Sequence, residues 1–203
     1  MSITLFIIIL TSLVSIAGFR NREIFDKLKL NPYMIFHRKE FFRVISHAVL
    51  HADWTHLGFN MFTLFFFGRS AEMYFNHFFE HGKLMFVLLY IIGIVVSAIP
   101  SIIKHKNNHW YNSIGASGAV AAVLFASIFF DPRMSIYIFL IPIPIPGFVF
   151  GIAYLVYSQY MSKKNTDNIN HEAHITGAIF GFLFPLIINP DLFNTFWNGL
   201  LNG

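Results

Sequence analysis

Six apolar runs divide the chain, at about 3–19, 55–75, 84–103, 115–130, 147–161 and 172–189. A run of about 20 apolar residues crosses a bilayer as a helix. The pattern therefore predicts an all-α polytopic membrane protein with six transmembrane helices. The fifth run is approached through Ile141-Pro142-Ile143-Pro144-Ile145-Pro146. Three prolines there remove amide donors and hold the chain extended, so this stretch reads as a non-helical lead-in near the interface. The longest polar connection, about 20–45, mixes cations with Tyr33, Met34, Ile35 and Phe36 around Pro32. That mixture predicts an interfacial loop with short helical pieces. Nothing repeats, and residues 1–203 read as a single membrane domain without a linker. Ser15-Ile16-Ala17 before Gly18 loosely resembles a signal-peptide cleavage site, which would leave five spans. No positive segment precedes the apolar core, so the first run reads as a span.

Composition agrees. The chain is 56% hydrophobic and 12% charged, with a mean hydropathy of +0.60, where a soluble domain carries about a quarter charged residues. It has no cysteine, which excludes disulfides, a thiolate nucleophile and cysteine-ligated zinc. The net charge of +4 is spread among the spans. There is no basic stripe of the kind that binds nucleic acid.

Helices running alternately start on one side of the membrane at every second span. The second opens with His51-Ala-Asp-Trp-Thr-His56-Leu-Gly-Phe-Asn60. The fourth opens with Gly115-Ala-Ser117-Gly118, and the sixth with His171-Glu-Ala-His174-Ile-Thr-Gly177-Ala-Ile-Phe-Gly181. Three polar clusters thus fall at similar depth on one face of the bilayer, where polar residues are costly and mark function. His56 and Asn60 share a helical face, as do His174, Gly177 and Gly181. Glycines at such positions let a neighbouring backbone approach closely. If the fourth and sixth helices touch, His174 can take the proton of Ser117 and leave a nucleophilic alkoxide. The Ser117 amide, Asn60 and His56 are candidates for holding the resulting oxyanion.

Each piece has a plainer reading. A serine among small residues can serve helix packing, His56 and Asn60 can be an interhelical pair, and His174 can be a capped buried histidine. Metal binding is a sharper alternative, since His47 and His51 stand at i and i+4. His171-Glu172-Ala173-His174 is one residue short of His-Glu-x-x-His, however, and no third carboxylate completes a site. No metal or other cofactor is expected.

At these residues the sequence resembles the rhomboid intramembrane serine proteases. The family pattern is His-x-x-x-Asn on the second span, Gly-x-Ser-Gly opening the fourth, and Ala-His-x-x-Gly-x-x-x-Gly on the sixth. These correspond to His56 to Asn60, Gly115 to Gly118, and Ala173 to Gly181. The resemblance covers about residues 35–190 in the right order and implies a six-helix rhomboid-like bundle of the minimal bacterial form. It implies Ser117 as nucleophile and His174 as general base, a dyad without an acid. It also implies an oxyanion hole of His56, Asn60 and the Ser117 amide, with His51 close by and Gly115 holding the loop ahead of the nucleophile. Arg43 in the first loop, and Glu72 four residues after Gly68, would be structural, as would Gly118, Gly177 and Gly181. The implied partners are the lipid bilayer and single-span membrane-protein substrates. The implied location is a bacterial cell membrane, with the site facing the extracytoplasmic side.

Three features depart from the pattern. Some members carry an aromatic residue one turn after the serine, stacked on the histidine; Ala121 stands there, so another residue must hold the imidazole. Asn76, four residues after Glu72, replaces a frequent glycine. On the active-site side stand Arg20, Arg22, Lys27, Lys29, Arg38, Lys39, Arg43, Lys104, Lys106, Lys163 and Lys164, against Arg69, Lys83 and Arg133 opposite. The positive-inside rule would invert the protein. Pairing of the loop cations with Glu23, Asp26 and Glu40 would relieve that conflict. Two rival functions remain: an inactive relative that binds membrane proteins, and a histidine-lined transporter. The transporter lacks the expected internal repeat.

Overall fold

The computed structural model describes residues 2–138, 143–164, 166–167 and 169–202. Among these the chain forms ten α-helices. They are α1 (Ile3–Arg20), α2 (Arg22–Leu28), α3 (Pro32–Arg38), α4 (Arg43–Ser46), α5 (Trp54–Phe78), α6 (Gly82–Lys104), α7 (Ser117–Phe130), α8 (Gly147–Lys164), α9 (His171–Ile188) and α10 (Leu192–Asn202). A short antiparallel hairpin, β1 (Ser135–Ile136) with β2 (Ile145–Pro146), precedes α8. The proline lead-in is thus extended at its end, while Ile141 and Pro142 lie outside the described residues. Three helices, α1, α6 and α9, are long and apolar enough to cross a membrane. Helices α5 and α8 are as long but less apolar. The polar connection folds into α2, α3 and α4.

Helix starts are capped by the side chains that the sequence supplies. Asp53 accepts from the His56 N–H at 2.8 Å, and Asn170 from the Ala173 N–H at 3.1 Å. Asn31 accepts from the Met34 N–H at 2.9 Å, with Pro32 at the first position of α3. Each cap satisfies a backbone donor that the helix cannot.

Helix α7 is the centre of the bundle: every residue from Gly118 to Phe130 is buried. It has 14 residues, about 21 Å at 1.5 Å per residue, against about 30 Å of hydrocarbon. Its first half is small and lets the neighbours close in. A Cβ on Gly177 of α9 would run into the Gly118 carbonyl, and one on Gly181 into the Ala122 carbonyl. On α6, Gly93 faces the Ala122 Cβ, 3.2 Å from where its own Cβ would stand. The second half of α7 is aromatic. Phe130 meets Phe75 at 5.2 Å between ring centroids, and Phe129 stacks on Phe196 of α10 at 5.6 Å. One end of the bundle is therefore tightly packed on backbone, and the other is filled by rings.

Helix α1 buries one face, Thr4, Thr11, Ser15 and Gly18, and its start docks on α5. Glu72 of α5 accepts from Ser2 Oγ at 2.5 Å, the Ile3 N–H at 3.0 Å, the Thr4 N–H at 3.1 Å and Thr4 Oγ1 at 2.9 Å. A Cβ on Gly68, one turn earlier, would stand 2.7 Å from Thr4 Cγ2. The glycine admits the end of α1 and the carboxylate holds its open amides. Helix α10, which the apolar runs did not indicate, folds back so that Leu200 accepts from Arg133 Nε at 3.0 Å.

Candidate active site

The loop before α7 is held from both sides. Leu30 and Ser113 exchange backbone hydrogen bonds at 2.9 and 3.0 Å, and the Gly115 N–H donates to the His47 carbonyl at 3.0 Å. Gly115 has φ +113°, a left-handed conformation that favours glycine. Its missing side chain is filled by the His56 ring, whose Cε1 and Nε2 lie 2.8 and 3.0 Å from an ideal Cβ. The first bond of the α7 ladder runs from the Val120 N–H to the Ala116 carbonyl. The amides of Ser117, Gly118 and Ala119 precede that ladder and form the positive end of the helix.

His174 lies in the first turn of α9. The close pair across the α7–α9 interface is Gly118 with Ala173 and Gly177: the Ala173 carbonyl stands 3.3 Å from an ideal Gly118 Cβ. Ser117 and His174 are the neighbours of that pair in sequence. Among the described residues the Ser117 hydroxyl forms no hydrogen bond. Such contacts are often long in an unoccupied site. The His174 ring lies nearly parallel to Tyr154 of α8, 6.2 Å between centroids. No motif pointed to Tyr154; the signal was only an aromatic residue on the facing helix.

The hydrogen bonds fix the protons on His51, ahead of α5, and on His56 in its first turn. The Ala52 N–H points at His56 Nδ1 at 3.5 Å, so a neutral His56 carries its proton on Nε2, towards Gly115. The Ser15 hydroxyl donates to the Val49 carbonyl at 2.9 Å, so His51 Nδ1–H must donate to Ser15 Oγ at 3.0 Å. His51 Nε2 is then an acceptor, buried and unpartnered. Burial pushes the His51 pKa down to about 3, so the ring stays neutral. The two rings meet edge to face at 4.9 Å. His56 thus presents a donor where His51 presents an acceptor. Asn60, 6% exposed, donates one amide N–H to the His56 carbonyl at 3.0 Å. An amide carries a second.

Other residues singled out in the sequence lie further off. Arg43 is buried, with Nε 2.6 Å from Glu40 and Nη1 donating to the Asp26 and Lys29 carbonyls at 3.0 and 2.9 Å. Lys29 and Arg22 both pair with Asp26, at 2.8 and 3.2 Å. Glu23 makes no ion pair among the described residues. His47 and His51 turn to different partners, since His47 Nδ1 donates to the Arg43 carbonyl at 3.1 Å. Among the described residues no three His, Cys, Asp or Glu side chains are grouped to hold a metal ion.

Comparison with known proteins adds to this geometry. Residues 38–190 match the Rhomboid domain family. The chain is 27% identical over 172 residues to RHOMBOID-like protein 12, mitochondrial, of Arabidopsis thaliana, covering 75% of this chain and 49% of that protein. It is 26% identical over 156 residues to Rhomboid protein 1, mitochondrial, of Saccharomyces cerevisiae, covering 72% and 41%. It is 28% identical over 152 residues to Rhomboid protease GlpG of Haemophilus influenzae, covering 73% and 70%. The chain thus spans half or less of the two mitochondrial proteins. With this match over most of its length and a bundle of apolar helices, the chain belongs to the rhomboid family and is a multi-pass helical membrane protein.

Proposed function

We propose that this chain is an intramembrane serine endopeptidase of six spans, α1, α5, α6, α7, α8 and α9, working through Ser117 and His174. The observation that carries the reading is the glycine contact between α7 and α9. Gly177 packs on the Gly118 backbone, a register that supports a serine working with the histidine at the amide end of α7. Because α7 is shorter than the hydrocarbon layer, its first residue can sit below the membrane surface in a pocket walled by helices.

In this reading a substrate carbonyl enters beside Ser117. Its hydroxyl oxygen attacks the carbonyl carbon while His174 takes the proton. The oxyanion is met by the Ser117 N–H, by His56 Nε2–H and by the second N–H of Asn60. Collapse breaks the C–N bond, and His174 returns its proton to the departing amine. Water then attacks the ester, again through His174, and frees the carboxylic acid. Neutral His51 offers no donor from its open nitrogen, so its place is behind His56 and not on the oxyanion. The proposed substrates are single-span membrane proteins, entering from the bilayer and unwinding at small residues.

The same proposal sets the protein in a bacterial cell membrane with the site on the extracytoplasmic side. The pairing of Arg22, Lys29 and Arg43 with Asp26 and Glu40 supports that sidedness, since paired loop cations weaken the positive-inside bias. An inactive relative is the second reading, favoured by the missing Ser117–His174 hydrogen bond. Purified wild type, Ser117→Ala and His174→Ala, each given a single-span substrate and a fluorophosphonate probe, decide between them. Cleavage and labelling by wild type alone support the protease. A folded wild type that does neither supports the inactive relative.

A further inference from the structure

His174 has a neighbour that a two-residue mechanism leaves unused. His171 precedes it by three residues on the same helix face, and the two rings stand 5.9 Å apart at 76°. The His171 residue is 4% exposed. Its Nε2 lies 3.2 Å from each oxygen of the Asp167 carboxylate. A carboxylate can only accept, so Nε2 bears the proton and Nδ1 of the neutral ring holds a lone pair. That Nδ1 is buried, and no described group bonds to it. Buried acceptors without donors are rare and call for an explanation. Tyr157 of α8 meets the edge of the ring at 5.9 Å and 80°, which fixes its plane.

We infer that Asp167 and His171 are a positioning pair for His174: His171 Nδ1 accepts, through one bridging water, from the His174 ring nitrogen turned away from Ser117. The inference rests on the proposed Ser117–His174 dyad. Asp167 holds His171 in the tautomer able to accept, and the hydrogen bond in turn orients the His174 ring. When His174 takes the serine proton its ring becomes cationic. The other N–H then donates more strongly to His171, whose far nitrogen is held by the Asp167 carboxylate. No proton leaves His174 in this step, so the serine proton stays available for the amine.

The groups facing His174 allow this. Tyr154 of α8 lies against its ring, His56 comes from α5, and Ser117 belongs to the proposed dyad. The electrostatic partners of His174 are His171, His56 and Asp167. Glu172 is engaged by Lys104 of α6 at 2.8 Å, so Asp167 is the carboxylate left to act on the histidines.

The test compares wild type, His171→Phe, His171→Gln and Asp167→Asn with the single-span substrate and the fluorophosphonate probe. His171→Phe keeps a ring against Tyr157 but removes the acceptor. Its kcat is expected to fall roughly tenfold or more with KM little changed. His171→Gln, whose amide oxygen accepts, should recover most of that loss. Asp167→Asn removes the charge behind the pair, so its kcat should fall, by less than in His171→Phe, with KM little changed. Asp167 lies on the loop outside the helix packing, so this variant reads the pair even if a His171 variant folds poorly. Wild-type kcat in His171→Phe overturns the inference while leaving the dyad in place. Equal impairment of Phe and Gln with wild-type kcat in Asp167→Asn also overturns it, leaving a packing role. A wild type that neither labels nor cleaves overturns the dyad and the inference together.

Discussion

Tyr154 lies over His174 with 24° between the ring planes and 6.2 Å between centroids. One turn on, Tyr157 meets His171. The two tyrosines are three residues apart on α8 and the two histidines three apart on α9, so the contacts are successive rungs between antiparallel helices. This supplies the aromatic partner that the α7 sequence lacks. Ala121 is 3% exposed and belongs to the apolar cluster that also takes in Phe125 and Tyr154. Phe125 and Tyr154 meet at 5.6 Å.

If the stack orients the imidazole, removing the ring costs turnover and removing the hydroxyl does not. Tyr154→Phe should cleave substrate near the wild-type rate, and Tyr154→Ala should lose roughly tenfold or more in kcat. Placing a ring on α7 instead, as Ala121→Tyr in the Tyr154→Ala background, should restore part of the rate. Equal rates for wild type and Tyr154→Ala would mean that the stack does not orient the base.

How far this arrangement could be read in advance depends on the kind of signal. Apolar length marks α1, α6 and α9, because burial in lipid demands it at every turn. The starts of α5, α7 and α9 stood out because polar residues are conspicuous there. Tyr154 did not, since an aromatic residue in an apolar helix has no spacing that distinguishes a partner of His174 from a lipid-facing ring. The proton positions of His51 and His56 were likewise hidden. They follow from Ser15 and Ala52, and from how those groups are oriented in space. Helix α10 escaped notice because it is short and buries only one face, with Phe193, Trp197 and Leu201 exposed. The sequence around His171 resembles a metal-ligand spacing, while its pairing with Asp167 depends on the loop bringing that carboxylate back over the start of α9.

Glycine substitutions should separate positions that carry the site from those that do not. At Gly181 a Cβ meets the Ala122 backbone, and at Gly177 the Gly118 backbone. Alanine at either should force α7 and α9 apart, abolish cleavage and lower the thermal midpoint in detergent. At Gly115 the strain is local: alanine there opposes φ +113° and presses on His56, at a cost of about 1–3 kcal/mol. Its activity should fall further than its stability. Gly58, on α5 beside the site in sequence, has nothing within 4 Å of an added Cβ. Gly58→Ala should be active and slightly more stable, by about 0.5–1 kcal/mol. The same loss in all four variants would contradict this account.

Glu72 tests the anchoring of α1. Its carboxylate, in a residue 8% exposed, serves two hydroxyls and two amides at the start of that helix. Glu72→Ala leaves those amides without partners, a loss of about 1–3 kcal/mol. Glu72→Gln retains acceptor oxygen and should lose less. Thermal unfolding in detergent measures both. Cleavage by the fraction still folded should be near normal, since Glu72 lies towards the far end of α5 from His56.

The first loop should make stability depend on pH. Burial holds the His51 pKa down to about 3 and the His47 pKa down to about 4, against an ordinary 6.5. In the folded protein both rings are neutral above those values, whereas in the unfolded chain both bind protons below 6.5. The unfolded state therefore holds more protons between about 6.5 and 4, and stability falls as pH drops through that window. Each histidine contributes a slope of at most about 1.4 kcal/mol per pH unit. Asp26, held below the usual carboxylate value by its hydrogen bond to Lys29, acts in the same direction but only below the ordinary 3.8. Thermal midpoints measured from pH 7.5 down to 4.5, a window set by these two histidines, should fall steadily in wild type. His51→Gln, which cannot be protonated, should give a shallower line even if its midpoint at neutral pH is lower. Parallel lines for the two proteins would show that His51 is protonated in the folded state, and that the Ser15–His51–His56 arrangement does not persist in solution.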